Sequence, residues 1–217
     1  MIELFFKVVG AYLIGNLMGG QLIGKLRGGV DLRTVGSGNV GATNALRTQG
    51  KGFALAVLLI DFFKGVGAVT FMPAIQWSWA GATEVPRELQ AYLCGLAVAV
   101  GHCYPLFYGF KGGKGVATLA GVFAALMPVT LLWMLGGFIL VVLLTGYASL
   151  ATLTAAAIAV VWSAGLDAHG LHSMTFAFSL AMAVLVVWKH RENIQRLARG
   201  SESRFEKARI LGKWLSR

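Results

Sequence analysis

Residues 116–165 read VATLAGVFAALMPVTLLWMLGGFILVVLLTGYASLATLTAAAIAVVWSAG, a run of 50 residues without a single charged side chain. A helix that crosses a bilayer needs about 20 consecutive apolar residues, so this run is long enough for two full crossings or three short ones. Inside lipid, a helix satisfies all of its backbone hydrogen bonds within one segment. The run therefore predicts a helical integral membrane protein and excludes an ordinary soluble domain.

Further apolar segments lie on both sides of this run, at residues 4–24, 53–74, 90–109 and 171–188. Across the 217 residues the hydrophobic fraction is 57%, the mean hydropathy is +0.70 and 13% of residues are charged, against about 25% charged residues in soluble domains. The sequence predicts an all-α polytopic bundle in which residues 1–217 form a single membrane-embedded domain, with a basic cytoplasmic tail at 189–217.

The net charge of +10 is distributed unevenly among the loops. The loop at 25–52 has five basic residues and one acidic residue, the turn at 111–114 has two lysines, and the tail has nine basic and three acidic residues. Because positive charge is retained on the cytoplasmic side of a membrane, these segments are predicted to face the cytoplasm, with the N-terminus outside. The charge thus serves topology and attraction to anionic membrane lipids, and no nucleic-acid partner is expected.

The number of crossings depends on how residues 116–165 are divided. The run starts on the cytoplasmic side and has to deliver Asp167 to the outer side, so that the last span returns the basic tail to the cytoplasm. An odd number of crossings follows, which leaves five spans with a re-entrant piece, or seven spans of which some are short or broken. The candidate breaks are Met127-Pro128, Gly136-Gly137 and Thr145-Gly146.

The first polar segment that faces the cytoplasm is GSGNVGATNALR at residues 36–47. It matches G-x-G-x-x-G literally, but a dinucleotide site is excluded because that motif needs a strand before it and a βαβ unit around it. Its glycines still allow backbone N–H groups to converge on an anion, and Arg47 adds a fixed charge. The alternative is a flexible glycine loop whose arginines only set topology. The candidate phosphate-binding residues are Gly36, Ser37, Gly38, Asn39, Gly41, Thr43 and Asn44.

The second polar segment is GHCYPLFYGFKGGKGVAT at residues 101–118. A Walker loop is excluded because Gly115 stands where that motif needs Ser or Thr. Instead Lys111 and Lys114 lie on either side of Gly112 and Gly113, immediately before an apolar helix. Ammonium groups, backbone donors and the positive end of that helix could share one anionic ligand.

His102 lies in the same segment, near the cytoplasmic end of its span. Imidazole titrates close to neutrality, and an ionisable group inside a membrane is costly to keep. His102 is therefore a candidate general base or hydrogen-bond donor. The alternative is a structural histidine that is hydrogen-bonded to a neighbouring helix.

The third polar segment is HRENIQRL at residues 190–197, where the last span leaves the bilayer. Basic residues are expected there for topology, but the amide of Asn193 could hydrogen-bond a phosphate or a hydroxyl group of a substrate. Residues after Arg199 are expected to form a basic helix on the membrane surface.

Three weaker signals accompany these segments. Asp61 and Lys64 are three positions apart on one helix face and could simply pair, although charges inside membranes usually have a function. Ser149 is a small hydroxyl near one candidate break and is a modest candidate for the site. His169 and His172 lie at an outer turn without a third ligand, so neither a metal site nor a cofactor is expected.

In order and spacing, the three polar segments resemble the motifs of PlsY, the bacterial family of acyl-phosphate-dependent glycerol-3-phosphate acyltransferases. The resemblance covers nearly the whole chain. It implies transfer of a fatty acyl group from acyl phosphate to the 1-hydroxyl of sn-glycerol 3-phosphate, which gives 1-acylglycerol 3-phosphate and inorganic phosphate. It also implies a bundle of about seven membrane helices in the bacterial cytoplasmic membrane, with the active site at the cytoplasmic face. We expect direct transfer, without a covalent acyl-enzyme, by a monomer.

Mapped onto this chain, the resemblance assigns catalysis to the polar side chains of the three segments. One departure lies after Gly146-Tyr147, where relatives often have a serine pair and this chain has Ala148-Ser149. If the first hydroxyl matters in those relatives, Ser149 or a water molecule must replace it here. The expected catalytic residues are Ser37, Arg47, His102, Lys114 and Asn193, and the expected substrate-binding residues add Ser149 and Lys111 to the two glycine segments.

A transporter or channel for a phosphorylated metabolite is the competing class, because anion sites at broken helices are a transporter feature. It predicts an aqueous path and internal repeats, whereas the three polar segments are dissimilar in sequence and all lie on one predicted side. A membrane scaffold that recruits anionic lipid is a second rival. It leaves the ordered glycine motifs unexplained and would tolerate changes at Ser37 and Lys114.

Overall fold

The structure is a computed structural model that describes residues 1–79, 81, 83–166 and 169–215. Every regular element in these residues is helical, which confirms the all-α prediction. The chain divides into two compact units, Met1–Leu126 and Met127–Arg217. Asp167, which the sequence analysis places on the outer side of the membrane, lies outside the described residues.

The described part of the first unit has its longest helix at its centre. This helix, α4, packs against α2, α3, α5 and α6, while α1 packs along α5. Short 3-10 turns, Met72–Ala74 and Leu106–Tyr108, follow α4 and α5. The helices are α1 (Ile2–Gly15), α2 (Gly19–Leu26), α3 (Ala42–Thr48), α4 (Lys51–Phe71), α5 (Arg87–Cys103) and α6 (Val116–Leu126).

The first apolar segment, predicted as one span over residues 4–24, is bent by 46° between α1 and α2. The side chain of Lys64 accounts for this difference. Its ammonium group donates to the carbonyl oxygens of Gly15 at 3.0 Å and Leu17 at 2.7 Å. A side chain that inserts into the helical hydrogen-bond ladder is a known cause of sharp kinks.

Glycines allow the long helices of the first unit to cross closely. Gly15 and Gly101 lie where α1 meets α5, and Gly65 and Gly121 lie where α4 meets α6. At each of these four positions a Cβ atom would collide with a backbone carbonyl of the opposite helix. Contacts of this kind are typical of helices that pack through small residues in membranes.

The second unit is built around α8, which packs against α7 and α9. The short helix α10 contacts α8 and α9, and α11 contacts α7. A 3-10 turn at Gly170–His172 precedes α9. The helices of this unit are α7 (Pro128–Thr145), α8 (Ala148–Leu166), α9 (Met174–Lys189), α10 (Arg191–Ala198) and α11 (Ile210–Trp214).

The long apolar run at 116–165 divides into three helices, α6, α7 and α8. Two of the three predicted breaks are confirmed, since α7 begins at Pro128 and ends before Gly146, whose φ is 75°. The predicted break at Gly136-Gly137 is wrong, because both glycines lie inside the continuous helix α7. Proline removes a backbone donor and forces an interruption, whereas a glycine pair only permits one.

Among the described residues, four helical segments are long and apolar enough to cross a membrane. The bent pair α1–α2 gives a fifth if it counts as one span. Two further apolar helices are shorter, α6 with 11 residues and α9 with 16. The four long segments are Lys51–Ala74, Arg87–Tyr108, Pro128–Thr145 and Ala148–Leu166.

The tail after Arg199 differs from the expected surface helix. The backbone N–H of Phe205 donates to the carbonyl oxygen of Gly146 at 2.8 Å. The Arg204 guanidinium lies 4.6 Å above the centre of the Tyr147 ring. The tail is therefore bound at the corner between α7 and α8 through backbone and ring contacts. Its basic composition does not predict these contacts.

Candidate active site

The glycine loop between α2 and α3 is held in shape by Asn44, which is only 1% exposed. Its amide nitrogen donates to the carbonyl oxygens of Leu32 at 3.1 Å and Val35 at 2.9 Å. Its amide oxygen accepts from the backbone N–H of Ser37 at 2.9 Å. Both amide protons of Asn44 are thus used within the loop, so its observed role is to position the loop. A direct contact between Asn44 and phosphate stays a prediction.

The loop backbone needs two glycines in the left-handed region. Gly36 has φ 58° and Gly38 has φ 70°, values that residues with a Cβ atom rarely adopt. A Cβ atom on Gly36 would also collide with the amide oxygen of Asn44. Gly36, Ser37, Gly38, Thr43 and Arg47 are exposed, while Asn39 and Gly41 are half-buried.

The base of the loop carries an ion pair between Asp31 and Arg33. The Arg33 guanidinium donates to both carboxylate oxygens of Asp31, with a shortest distance of 2.7 Å, and Gln21 donates to the same carboxylate. The Arg33 guanidinium holds the pKa of Asp31 well below its usual range. The Arg33 guanidinium also lies 5.9 Å from the centre of the Tyr108 ring, so the start of the glycine loop contacts the second polar segment.

An apolar cluster supports this arrangement from below. Tyr108 of the second polar segment packs against it. The loop is therefore fixed to the helices beneath it, although its glycines are exposed at the surface. The buried members of the cluster are Met18, Leu32, Val40, Ala45, Phe53, Ala54 and Val57.

His102, near the end of α5, lies in a buried polar cluster and is 3% exposed. Its Nδ1 atom is 2.8 Å from the Lys64 ammonium nitrogen and 3.2 Å from the Thr118 hydroxyl. The nearest carboxylate oxygen of Asp61 is 3.5 Å from Nδ1. The predicted pairing of Asp61 with Lys64 is present, with 2.9 Å between the charged atoms. The structure thus shows the alternative, a histidine bonded to neighbouring helices, while a role as general base or as hydrogen-bond donor to a substrate stays a prediction.

The glycine pair of the second segment lies directly on His102. The backbone N–H of Gly113 donates to the carbonyl oxygen of His102 at 3.1 Å. A Cβ atom on Gly112 would collide with that same oxygen, and one on Gly113 would collide with Nε2 of the ring. Lys111 is exposed and Lys114 is half-buried on either side of the pair. Only glycine leaves room for this close approach.

In the second unit, Ser149 and Asn193 are brought together by the carboxylate of Glu202. Its Oε1 atom accepts from the Ser149 hydroxyl at 2.7 Å and from the Asn193 amide at 2.6 Å. Its Oε2 atom accepts from Nε of Arg196 at 2.7 Å. Burial raises the pKa of Glu202, but these donors outweigh burial and hold that pKa below its ordinary value.

Sequence reasoning missed three participants in these networks. Glu202 was one acidic residue in a basic tail, and Thr118 was one hydroxyl at the edge of a quoted segment. The pairing of Lys64 with His102 joins positions 38 residues apart. The available signal for Glu202 was its place among three acidic residues in a basic tail. The other two contacts depend on how the helices cross, which local sequence does not contain.

No group of three or more His, Cys, Asp or Glu side chains in the described part of the chain could hold a metal ion. Beside single carboxylates, the polar networks contain amides, hydroxyls, ammonium and guanidinium groups and backbone N–H donors. Such donors suit phosphate and other oxyanions. Fold and site together define a class, a helical membrane protein with polar segments at the ends of apolar helices.

Comparison with known proteins is specific about the family. The sequence profile of the family described as glycerol-3-phosphate acyltransferase matches residues 5–200. A glycerol-3-phosphate acyltransferase of Geotalea daltonii is 41% identical over 202 residues, which are 92% of this chain and 96% of that protein. One of Aquifex aeolicus is 39% identical over 204 residues, which are 94% of this chain and 100% of that protein. The chain belongs to the glycerol-3-phosphate acyltransferase family.

Two solved structures have the same fold. Both are crystal structures of PlsY (YgiH), an integral membrane glycerol 3-phosphate acyltransferase. The glycerol 3-phosphate form matches with a TM-score of 0.79 and 38% identity, covering 96% of this chain and 98% of the other. The lysophosphatidic acid form matches with a TM-score of 0.78 and 36% identity over the same shares. The resemblance to the PlsY family is thus confirmed, and the chain is an integral membrane protein.

Proposed function

We propose that this protein transfers a fatty acyl group from acyl phosphate to the 1-hydroxyl of sn-glycerol 3-phosphate, giving 1-acylglycerol 3-phosphate and inorganic phosphate. The observation that carries this proposal is its likeness to PlsY in its glycerol 3-phosphate form, which extends over 96% of this chain. The site chemistry agrees, because the acceptor and the proposed donor both carry phosphate. The apolar helices next to the polar segments suit the acyl chain. No cofactor is required for this reaction.

In the proposed reaction, the glycerol hydroxyl oxygen attacks the carbonyl carbon of acyl phosphate. A tetrahedral oxyanion forms, the bond between that carbon and the phosphate oxygen breaks, and phosphate leaves with the bonding electrons. Acyl phosphate already has a good leaving group, so catalysis needs positioning and charge stabilisation and no covalent acyl-enzyme. The hydroxyl proton passes either to His102 or to a phosphate oxygen of a substrate, in which case His102 orients the acceptor.

Each polar segment has a proposed role. The loop from Gly36 to Thr43 cradles one phosphate through backbone N–H groups and the hydroxyl of Ser37, supported by the left-handed glycines and by the loop-holding amide of Asn44. Arg47 and Lys114 hold phosphate or glycerol groups, and Lys111 adds charge.

In the second unit, Asn193 and Ser149 are proposed to contact substrate oxygen atoms. Their hydrogen bonds to Glu202 support this role, because each side chain donates there to a negatively charged oxygen atom.

We further propose seven crossings, with the N-terminus outside and the polar segments and tail in the cytoplasm of a bacterial cell. The three helices of residues 116–165 and the positive loops support this arrangement. The whole chain is proposed to act as one catalytic domain and as a monomer, because all proposed site residues come from one copy. A thiol-reactive probe that does not cross membranes should label Ser201→Cys, at an exposed serine of the tail, from the cytoplasmic side of oriented vesicles. Labelling from the outer side would reverse the topology.

The reaction is tested with purified protein in lipid, palmitoyl phosphate and radiolabelled glycerol 3-phosphate. Parallel reactions receive acyl-CoA or acyl carrier protein as the donor. Labelled lysophosphatidic acid from acyl phosphate alone establishes both the reaction and the donor. Product from a thioester donor alone contradicts the proposed donor. If no donor works and labelled glycerol phosphate instead crosses sealed vesicles, the transporter alternative replaces the proposal.

Arg47→Lys supplies a sharper variant within the same assay. Lysine keeps the charge but loses the planar fork that binds two phosphate oxygens at once. We expect a loss of about 100-fold in kcat/KM, comparable to the removal of a positioned donor. Arg27→Lys is the matched control, because Arg27 is an exposed arginine outside the three polar segments. An unchanged kcat/KM for the Arg47 variant would refute a bidentate contact.

A further inference from the structure

The buried pair of Asp61 and Lys64 on α4 lies directly against the ring of His102. The two charged side chains expose only 2% and 3% of their surface. The Lys64 nitrogen is as close to Nδ1 of His102, at 2.8 Å, as it is to the carboxylate of Asp61, at 2.9 Å. Buried charges inside membranes are costly and usually have a function, so we expect a function for this pair.

The remaining contacts of the ammonium group fix its position. It donates to the carbonyl oxygens of Gly15 and Leu17 at the bend between α1 and α2. Asp61 is fixed in turn, since its Oδ1 atom accepts from the backbone N–H of Gly19 at 3.1 Å. The pair is therefore attached to the backbone of another helix on both sides, and its contact with the His102 ring is defined.

These contacts select one form of the neutral imidazole. An ammonium group carries three donors and no acceptor, and the carbonyl oxygens of Gly15 and Leu17 and the Asp61 carboxylate already take the donors of Lys64. Nδ1, 2.8 Å from the ammonium nitrogen, shares one of these donors, whereas a proton on Nδ1 would point at the cation. The Thr118 hydroxyl, 3.2 Å from Nδ1, is a second group that can donate to it. The carboxylate of Asp61 is 3.5 Å from Nδ1, longer than an ordinary hydrogen bond to nitrogen. These neighbours favour an accepting Nδ1, with the ring proton on Nε2.

The Nε2 edge of the ring lies against the glycine pair of the second polar segment. A Cβ atom on Gly113 would collide with Nε2, and Lys111 and Lys114 flank that glycine pair. In that tautomer, the proton-bearing edge is on the side where the proposed function binds an anionic substrate. The opposite edge is held by Lys64.

We propose that Lys64, held by Asp61, is a positioning residue that keeps His102 in the tautomer with its proton on Nε2, directed at the second glycine segment. Lys64 acts through His102 and does not touch the substrate. The catalytic consequence of this inference rests on the proposed acyltransferase function. The tautomer itself does not.

A double-mutant cycle tests the positioning role. Lys64→Met and His102→Gln are made singly and together, and kcat and KM for glycerol 3-phosphate are measured with acyl phosphate. Lys7→Met is the matched control, because Lys7 also forms a buried ion pair, on α1, and none of its hydrogen bonds involves His102. We expect Lys64→Met to lower kcat/KM by about 100-fold, the typical cost of a small misplacement of a reacting group, and by less than about 3-fold when His102 is already Gln. Equal losses in both backgrounds would overturn the proposal.

Nitrogen-15 NMR of histidine-labelled protein in lipid tests the tautomer without kinetics. The chain has four histidines, and the spectrum of His102→Gln identifies the signals of His102 by their absence. We expect a protonated Nε2 and an unprotonated Nδ1 in the unaltered protein, and a mixture of the two tautomers in Lys64→Met. A proton on Nδ1 in the unaltered protein would overturn the proposal. This holds even if Lys64→Met fails to fold or if the protein shows no acyl transfer, so failure of the inference and failure of the proposed function remain distinguishable.

Discussion

The first unit buries two acid–lysine pairs of nearly equal geometry, Glu3–Lys7 on α1 and Asp61–Lys64 on α4. Their charged atoms are 2.7 Å and 2.9 Å apart, and each side chain exposes 4% or less of its surface. In both pairs the two residues are neighbours on one helix face, at spacings of four and three positions. From their Coulomb attraction and burial alone, the two pairs would be expected to have the same role in the protein.

The partners of the two pairs differ. Lys7 also donates to the side-chain oxygen of Gln90 at 2.8 Å and to the carbonyl oxygen of Pro73 at 3.2 Å, and Glu3 accepts from the backbone N–H of Thr83 at 2.8 Å. These groups have no acid–base chemistry near neutral pH. The pair on α1 therefore ties α1 to α5 and to the connection that leads into it.

The pair on α4 instead contacts an imidazole. Burying two charges is rarely favourable compared with an apolar core of the same shape, so such a pair is retained for the arrangement that it imposes. Lys64 imposes an arrangement on His102, whereas Lys7 joins α1 to Gln90 of α5 and to the carbonyl oxygen of Pro73. The neighbours of a buried ion pair, and not its strength, therefore decide which groups it positions.

The largest expected effect is on stability, and it should be the same for both pairs. Lys7→Met and Lys64→Met each leave a buried carboxylate without its cation, a change that typically costs about 3–5 kcal/mol. Unfolding in lipid–detergent mixtures should show both variants destabilised by similar amounts. Lys51→Met is the control, since Lys51 is exposed at the start of α4 and should change little. If only one of the two variants lost stability, the two ion pairs would not be equivalent in the folded protein.

The second effect should separate the pairs by activity. Replacing both members with apolar residues, as Glu3→Leu with Lys7→Met and as Asp61→Leu with Lys64→Met, removes the uncompensated charge and is often neutral for folding. We expect the α1 double variant to retain activity and the α4 double variant to lose about 100-fold in kcat/KM, because His102 loses its positioning group. The acyl phosphate assay provides the measurement.

Equal activity of the two double variants would show that the pair on α4 is structural only. In that case the ring of His102 would have to be positioned by the hydroxyl of Thr118, which lies 3.2 Å from Nδ1.

Part of this fold was accessible from sequence because its causes are local. Proline at 128 and a left-handed glycine at 146 end helices through their own backbone chemistry, and both breaks are observed. The glycine pair at 136–137 did not break α7, since glycine lowers the cost of a bend without requiring one. A single sequence does not show whether a glycine pair breaks a helix or lies within a continuous one.

The bend between α1 and α2 shows what local sequence lacks. Its polar partner, Lys64, lies 47 residues after Leu17 in the chain. The attachment of the tail has the same character, because Phe205 bonds to Gly146. Both features depend on which helices are neighbours in the fold. The periodicity of apolar residues shows which face of a helix is packed, but it does not show which other helix packs there.

The candidate site divides in the same way. The glycine segments and their charged residues were found from the residue types alone, since anion binding needs backbone donors and cations in one short stretch. The loop-holding role of Asn44 and the carboxylate of Glu202 were not found. Each of them works through partners that the sequence places at a distance of several to several tens of residues.

A third effect, smaller than the first two, concerns Asn44, a buried side chain that positions its neighbours through hydrogen bonds without carrying a charge. Asn44→Ala removes three hydrogen bonds that shape the glycine loop and leaves buried backbone groups unpaired, at a typical cost of about 1–3 kcal/mol. We expect KM for glycerol 3-phosphate to rise by about 10-fold or more, because the loop would no longer hold its backbone donors in place. Gln49→Ala, at the end of α3, is the matched amide control. An unchanged KM would mean that the loop keeps its shape without Asn44.

The smallest effect concerns the carboxylate of Glu202, which lies outside the membrane-spanning helices and is joined to half-exposed Arg196. Its pKa is held below the ordinary value by Asn193, Ser149 and Arg196 despite burial. A group whose pKa is lowered by folding contributes stability above its ordinary pKa, about 4.3 for Glu, and this contribution is lost as the pH falls through the lowered value.

The tail should therefore detach in acid before the rest of the second unit unfolds. A fluorescent probe on Ser201→Cys should gain mobility below about pH 4 in the otherwise unaltered tail, whereas Glu202→Gln should show little pH dependence. Glu206→Gln is the control, because Glu206 is exposed and should leave the transition in place. A transition that persists in Glu202→Gln would assign the tail contact to its backbone and ring contacts alone. Charge would then matter less at this half-exposed pair than at either pair buried in the first unit.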